Sequence, residues 1–329
     1  MRPIAVVGSL NADVVVRVER LPAPGETVLG QDLVRLSGGK GGNQAVAAAR
    51  LGAQVEMVAR VGRDEAGSTL IASLDEAGID TSLVVRDASS PTGTAIVLVE
   101  DGGTNVVTVV PGANASLGIA DVDQWASKST EAPVLVLQLE VPLATVIHAA
   151  EVGKLHGATV ILNAAPAAAF SERLHTNVDV LIVNEFEAQA LALSYSGEAG
   201  RSFESCAREW IEAGVKAVIV TQGSAETLLF ALDRADRLPP PEVEAVDTTG
   251  AGDAFVGAFA FAIACGLELL ESVAIANAAA ALSVTSPGAQ LSMPRAESLA
   301  AFAPSAWLPL APRRVRGGAG RLPLHSPIP

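Results

Sequence analysis

Asp247-Thr248-Thr249-Gly250-Ala251-Gly252-Asp253 runs directly into Ala254-Phe255-Val256-Gly257-Ala258-Phe259, a polar loop that becomes an apolar helix. Two glycines separated by one alanine free the backbone and leave its N–H groups uncovered. Those N–H groups open the helix, lack carbonyl partners and carry the positive end of the helix dipole. A small anion is their natural occupant. Asp253 is the anomaly. As a helix cap it is ordinary, yet here a carboxylate would share its site with an incoming anion. That pairing suggests an acceptor hydroxyl on Asp253, a phosphoryl group approaching it, and N–H groups that absorb the charge. Taken alone, the loop favours a glycine turn with a capping aspartate, so the decision falls to the rest of the chain.

Outward from this stretch, the rhythm is strand, helix, strand. β-Branched and apolar runs at Ile4 to Val7, Val55 to Val61, Val134 to Leu139, Thr159 to Leu162, Val180 to Val183 and Ala217 to Val220 read as buried strands. Helical stretches are predicted from beyond Asn43 to about Leu51, then over 67–77, 143–155, 185–193, 202–213, 252–265 and 268–284. Such alternation predicts a Rossmann-like three-layer α/β/α domain around a mostly parallel sheet. Two segments break the rhythm, about 13–36 and 92–110, the second with a hairpin turn at Asp101-Gly102-Gly103. Both are strand-like without intervening helices. They are assigned to a small discontinuous β-lid over the carboxyl-end crevice of the sheet, where open α/β sheets bind ligands. The α/β domain is expected to span 1–303. Residues 304–329 are rich in Pro, Gly and Arg without apolar periodicity, and are expected to be disordered.

Half of the 329 residues are apolar and the mean hydropathy is +0.39, enough to bury a substantial core. A formal net charge of −14 argues against a nucleic-acid or membrane-surface binder. Cys206 and Cys265 form no disulfide framework and read as buried thiols in a reducing compartment. With a first strand beginning four residues in and no membrane-length apolar run, a cytoplasmic protein is expected. His148, His156, His175 and His325 show no metal-ligand spacing.

Three upstream constellations fall at strand ends. Asn11 and Asp13 follow the first strand, and an amide and a carboxylate so close together grip vicinal hydroxyls well, although both are also common turn residues. Ser37-Gly38-Gly39-Lys40-Gly41-Gly42-Asn43 packs four glycines around one lysine at a helix start, allowing very close approach of a ligand to backbone. Glu140 ends the strand Leu137-Gln138-Leu139-Glu140. Their arrival at one sheet edge favours a site.

With these motifs the chain resembles the ribokinase-like carbohydrate kinase family. The matching text is Gly8-Ser9-Leu10-Asn11-Ala12-Asp13, Pro24-Gly25-Glu26-Thr27, Gly38 to Ala45, Gln138-Leu139-Glu140, Asn184-Glu185-Phe186-Glu187-Ala188, Thr221-Gln222-Gly223-Ser224 and Asp247 to Asp253. The resemblance implies ATP-dependent phosphorylation of D-ribose at its 5-hydroxyl, with Asp253 as general base and the backbone of Gly250, Ala251, Gly252 and Asp253 as anion hole. It places Asn11, Ala12, Asp13, Gly39, Lys40, Gly41, Gly42, Asn43, Glu140 and Asp253 around the sugar. Asn184, Thr221, Gln222, Gly223, Ser224, Ala225, Glu226, Gly252 and Asn277 would bind ATP. Glu187 would act on Mg²⁺ through water, consistent with the few carboxylates that ion uses. Asp247, Thr249, Ser283, Ser286, Gly288 and Ser292 would hold K⁺. A homodimer through the lid is expected, because exposed strand edges invite pairing. The alternatives are a kinase for another sugar or a nucleoside, and a sugar-binding regulator without catalysis. Ala164-Ala165-Pro166, Leu238-Pro239-Pro240-Pro241 and the tail depart from the family pattern without touching these groups.

Overall fold

The structure is a computed structural model describing residues 1–102, 105–128, 133–167, 172–196, 201–307 and 310. It opens with β1 (Ile4–Val7), β2 (Asn11–Val18), β3 (Gly30–Gly38) and α1 (Lys40–Arg50). β4 (Val55–Gly62), α2 (Glu65–Glu76), β5 (Asp80–Asp87), β6 (Gly93–Glu100) and β7 (Asn105–Val110) follow. Next come α3 (Ile119–Lys128), β8 (Val134–Gln138), α4 (Leu143–Leu155), β9 (Thr159–Asn163), α5 (Glu172–His175), β10 (Val180–Asn184) and α6 (Glu185–Ser196). α7 (Phe203–Glu212), β11 (Ala217–Thr221), β12 (Thr227–Ala231) and β13 (Arg234–Leu238) complete the sheet. The chain ends in α8 (Ala251–Ala264), α9 (Leu269–Ser283), α10 (Ala289–Ser292), α11 (Ala296–Phe302) and α12 (Pro304–Trp307).

Among the described residues, nine strands form one sheet in the order β13-β12-β11-β10-β9-β8-β1-β4-β5. From β11 to β5 every neighbour is parallel, and β12 and β13 add an antiparallel edge. The order reverses at β1, which pairs with β4 on one side and β8 on the other. At such a switch point the connections leave in opposite directions and open a crevice beyond the carboxyl ends. β1 and β8 point into it.

The continuous apolar strands have a simple cause: both faces of the sheet are covered. Ile4 and Val6 of β1, Val134 and Val136 of β8, and Val180 and Ile182 of β10 face one core, shared with α1, α8 and α9. The alternate residues Ala5, Val7, Leu135, Leu137, Leu181 and Val183 face the other, shared with α4, α6 and α7. α8 is apolar all round and buried from Asp253 to Ala264, as a helix enclosed by other elements must be. Phe255 and Phe259 stack one turn apart, centroids 6.4 Å apart.

The small sheet exists as a separate unit, in the order β3-β2-β6-β7. Its first strand starts at Asn11 and its second ends at Gly38, so the small sheet grows directly out of the Asn11–Asp13 and Gly38–Asn43 motifs. β6 and β7 pair antiparallel, and the tip of their turn lies partly outside the described residues.

The structure departs from the sequence expectations at several points. Helix α1 begins at Lys40, four residues before the expected start, because groups from elsewhere satisfy its first N–H groups. The strands β5, β12 and β13 and the helices α3, α5, α10 and α11 add to the expected elements. β5 is a polar edge strand, and Thr227-Leu228-Leu229-Phe230-Ala231 is short enough to carry no decisive period. Cys265 is half-buried, whereas Cys206 is buried as expected. The boundary expected after Ala303 falls inside packed structure: Pro304–Trp307 is helical, and Trp307 stacks on Phe261 of α8 with centroids 5.9 Å apart. Apart from residue 310, the remainder of the expected tail lies outside the described residues.

Candidate active site

The loop before α8 is held from two directions. Val246 and Asp247 donate their N–H groups to the Val284 carbonyl at the end of α9, at 2.8 and 3.1 Å. The Asp247 carboxylate accepts from the N–H groups of Thr249 (2.9 Å) and Gly288 (2.8 Å). Gly250 then adopts φ 78°, a left-handed turn open to glycine at no steric cost, and starts the helix. Ala251 N–H turns back to the Thr248 carbonyl at 3.2 Å. The N–H groups of Gly252 and Asp253 make no hydrogen bond among the described residues, and a Cβ added at Gly252 would meet no protein atom within 4 Å. The glycine leaves that space clear for a ligand.

Asp253 is 7% exposed. Its Oδ2 accepts from Asn43 Nδ2 at 2.8 Å and its Oδ1 from Gln44 Nε2 at 2.9 Å. Burial pushes its pKa up. Lys40 and the two amides oppose that push without cancelling it, and Glu140 adds to it. A desolvated, singly oriented carboxylate near a helix N-terminus is suited to take a proton.

The second wall is the start of α1. Its N-cap, Gly39, offers no side chain, so the cap comes from across the sheet. Glu140 Oε2 accepts from Lys40 N–H at 3.0 Å and from Ser9 Oγ at 2.5 Å. Gly42 N–H donates to the Ser9 carbonyl at 3.0 Å. A Cβ on Gly41 would lie 2.7 Å from Ser9 N, so only glycine lets the helix start touch the end of β1. Tertiary bonding therefore offsets the poor helix propensity of two glycines in the first turn.

Three carboxylates act on one ammonium here. Burial disfavours the Lys40 cation, but Asp253, Glu140 and Glu187 outweigh it and hold its pKa above the ordinary lysine value. Asp13 lies over Gly38, where a Cβ would come within 2.1 Å of its Oδ2, and its buried Oδ1 accepts no hydrogen bond. Burial, then the charges of Glu140 and Asp253, push Asp13 up to about 7.

A cavity of about 190 Å³ joins the two walls, lined among others by Lys40, Asn184, Glu187, Thr221, Gly252 and Asp253. The structure thus brings together groups from β10, β11, α1 and α8 that the resemblance assigned to sugar, nucleotide and metal. Asn184 and Glu187 form a reciprocal cap: each side chain accepts the other's backbone N–H at 2.8 Å. Burial raises the pKa of Glu187, an effect only partly offset by the Asn184 N–H and Lys40. Gln222 to Glu226 form the turn after β11, with Gly223 to Glu226 exposed. Asn277 commits its amide inside the protein, accepting from Thr227 Oγ1 at 2.7 Å and donating to the Leu238 carbonyl at 3.2 Å. It braces the antiparallel edge of the sheet.

Sequence reading passed over several groups that hold this site. Asn114 Nδ2 donates to Asn11 Oδ1 at 2.8 Å and to the Leu10 carbonyl at 3.0 Å, fixing the Asn11 amide. Gln44, Gln138 and Asn163 form a buried amide chain behind Asp253. Gln44 and Gln138 stand inside the motifs that carry the resemblance, but neither was given a role; Asn114 gave no signal.

Residues 1–296 match the pfkB family of carbohydrate kinases. A ribokinase of Staphylococcus aureus is 34% identical over 299 residues, covering 90% of this chain and 98% of the relative. A deoxyribokinase of Salmonella typhimurium is 36% identical over 295 residues, covering 89% and 96%. A solved structure of Arabidopsis thaliana ribokinase complexed with ribose and ATP superposes with TM-score 0.81 at 33% identity, covering 92% of this chain and 98% of that one. With fold, site and sequence in agreement over nearly its whole length, the chain belongs to the pfkB family of carbohydrate kinases.

Proposed function

We propose that this chain phosphorylates the 5-hydroxyl of D-ribose with ATP, giving D-ribose 5-phosphate. The observation that carries the reading is Asp253: buried, held on both oxygens, and lining a cavity with Lys40, Asn184 and Thr221. The similarity to a ribokinase complexed with ribose and ATP supports the choice of both substrates. Asn11, Ala12, Asp13, the Gly39 to Asn43 turn and Glu140 surround the sugar, and Asn184 and the Thr221 to Glu226 turn flank the nucleotide. Asp253 accepts the hydroxyl proton. The free N–H groups of Gly252 and Asp253 face the charge that develops on the transferring group, where preorganised donors act most strongly.

Glu187 fits an outer-sphere role toward Mg²⁺: its Oε2 is tied to Asn184 N–H, while its Oε1 makes no hydrogen bond among the described residues. Mg²⁺ bound with ATP would neutralise phosphate charge. The expected K⁺ set has suitable donors. Ser283 and Ser292 donate their hydroxyl protons to the Ala280 and Ala289 carbonyls, leaving oxygen lone pairs to accept a cation. Asp247 stays ionised: its N–H donors from Gly288 and Thr249 outweigh burial and lower its pKa. The free thiols of Cys206 and Cys265 suit a reducing cytoplasm.

The 36% identity to a deoxyribokinase favours 2-deoxyribose as the second reading. Turnover assays with ribose, 2-deoxyribose, other sugars and nucleosides, each in K⁺ and in tetramethylammonium, test the whole assignment. Ribose should give the highest kcat/KM, and K⁺ should raise it. A higher value for another acceptor moves the substrate, equal rates in both cations remove K⁺, and no sugar-dependent ATP turnover leaves a regulator.

The two apolar faces of the lid support a homodimer. Register places Val15, Val97, Val107 and Val109 on the Asp13 face, and Val14, Val16, Ile96, Val106 and Val110 on the opposite face. A sheet apolar on both faces needs two partners, the crevice and a further surface. A second copy supplies the latter. Light scattering should give twice the chain mass, and Val106→Lys with Val110→Lys should return it to the monomer; a monomeric wild type rejects the dimer.

A further inference from the structure

We infer that Gln44 is a positioning residue for phosphoryl transfer, holding Asp253 from the core side through an amide whose direction other side chains dictate. The inference rests on the proposed role of Asp253. Gln44 is 1% exposed and does not line the cavity, so it acts through Asp253 and not on the sugar or the phosphoryl group.

Both of its donor hydrogens and one oxygen lone pair are in use. One Nε2 hydrogen goes to Asp253 Oδ1 at 2.9 Å and the other to Asn163 Oδ1 at 3.0 Å, while Oε1 accepts from Gln138 Nε2 at 2.7 Å. Rotating the amide by half a turn would set its oxygen against two acceptors and its NH₂ against a donor. Three contacts therefore select one orientation. Asn163 is fixed in turn, because its Nδ2 donates to the Ile182 carbonyl at 3.1 Å. Gln138 Oε1, the far end of the chain, is buried without a partner.

Residues 45–48, which follow Gln44 in α1, are all apolar and buried, and the helix packs on α8. An apolar residue at 44 would suit that packing, and a buried amide chain is stable only when its members satisfy one another. This chain ends on one carboxylate. Its effect there is to fix the lone-pair direction of Asp253 and to favour its ionised form against burial. Misplacing a reacting group by about 1 Å costs on the order of 10²-fold in rate.

Gln44→Leu removes the donors while keeping an apolar side chain of similar length. It should lower kcat about 10- to 100-fold, leave the ribose KM within about three-fold, and move the acid limb of the kcat profile to higher pH. Gln138→Leu, which also deletes the unpartnered oxygen, removes one of the three contacts that direct the Gln44 amide and should give a smaller loss with a smaller pH displacement in the same direction. Retained protection by ribose against thermal unfolding shows that each variant is folded. Unchanged kcat and an unmoved acid limb in a folded Gln44→Leu overturn the inference. If that variant does not fold, the same result in Gln138→Leu overturns it. Absence of wild-type turnover would instead reject the role of Asp253.

Discussion

Asp253→Asn is expected to lower kcat for ribose phosphorylation by at least about 10²-fold while leaving the ribose KM within about three-fold, as for a lost general base. The substitution keeps the shape but not the chemistry. Asparagine presents one acceptor where aspartate presents two, so its NH₂ would confront one of the donors from Asn43 or Gln44. It also has no basic lone pair for the sugar proton. The low basicity of an ordinary carboxylate is tolerable in phosphoryl transfer, where positioning and charge stabilisation dominate. Burial improves that basicity by raising the pKa. The active form is the ionised one, so turnover should fall on the acid side, at a pH above the ordinary aspartate range. Asp253→Asn should flatten that limb as well as lower the plateau. A variant with near-normal kcat and an intact acid limb would remove Asp253 from proton transfer.

What made Asp253 legible was local. The glycines that shape its turn and the apolar helix that buries it are its neighbours in sequence. The α/β architecture was legible for a similar reason: strands buried on both faces, such as Val134 to Leu137, stay apolar without a break. Of the groups that orient Asp253, Asn43 was named for the site, but the chain of amides behind it was not readable, because its members arrive from far away. Gln44 lies 209 residues from Asp253, 119 from Asn163 and 94 from Gln138, and no period or propensity reports a contact of that kind. The early start of α1 has the same origin. Gly41 and Gly42 argue locally against helix, and only Glu140 and Ser9, brought in by β8 and β1, make a helix start there stable. The lid was readable as strands but not in its faces. Which valines meet the crevice depends on the pairing of β2 with β3 and β6, and a shift of one residue would exchange them.

Asp13 gives the second large effect, through protons rather than rate. With its carboxyl pushed up to about 7 in the free protein, it is about half protonated at neutral pH. A sugar hydroxyl donating to the buried, unpartnered Oδ1 stabilises the ionised form, so binding must expel a proton wherever the free protein holds one. Below pH 7 the ribose KM should therefore rise by up to about ten-fold per pH unit, and titration calorimetry in buffers of different ionisation enthalpy should register proton release. Above pH 8 both effects vanish. The stability sign is opposite. The unliganded fold binds this proton more tightly than the unfolded chain does, so the contribution of Asp13 is fully present below about pH 4 and is lost as pH rises through 7. Asp13→Asn retains an acceptor but no charge. The lost charge-assisted bond is worth about 1.5–3 kcal/mol, or about 10- to 150-fold in KM above pH 8, with kcat changed only a few-fold. The variant should also show a KM free of the acid dependence. A KM that still climbs below pH 7 in Asp13→Asn would assign the proton to another group in the crevice, with Glu140 and Glu187 the next carboxylates to test.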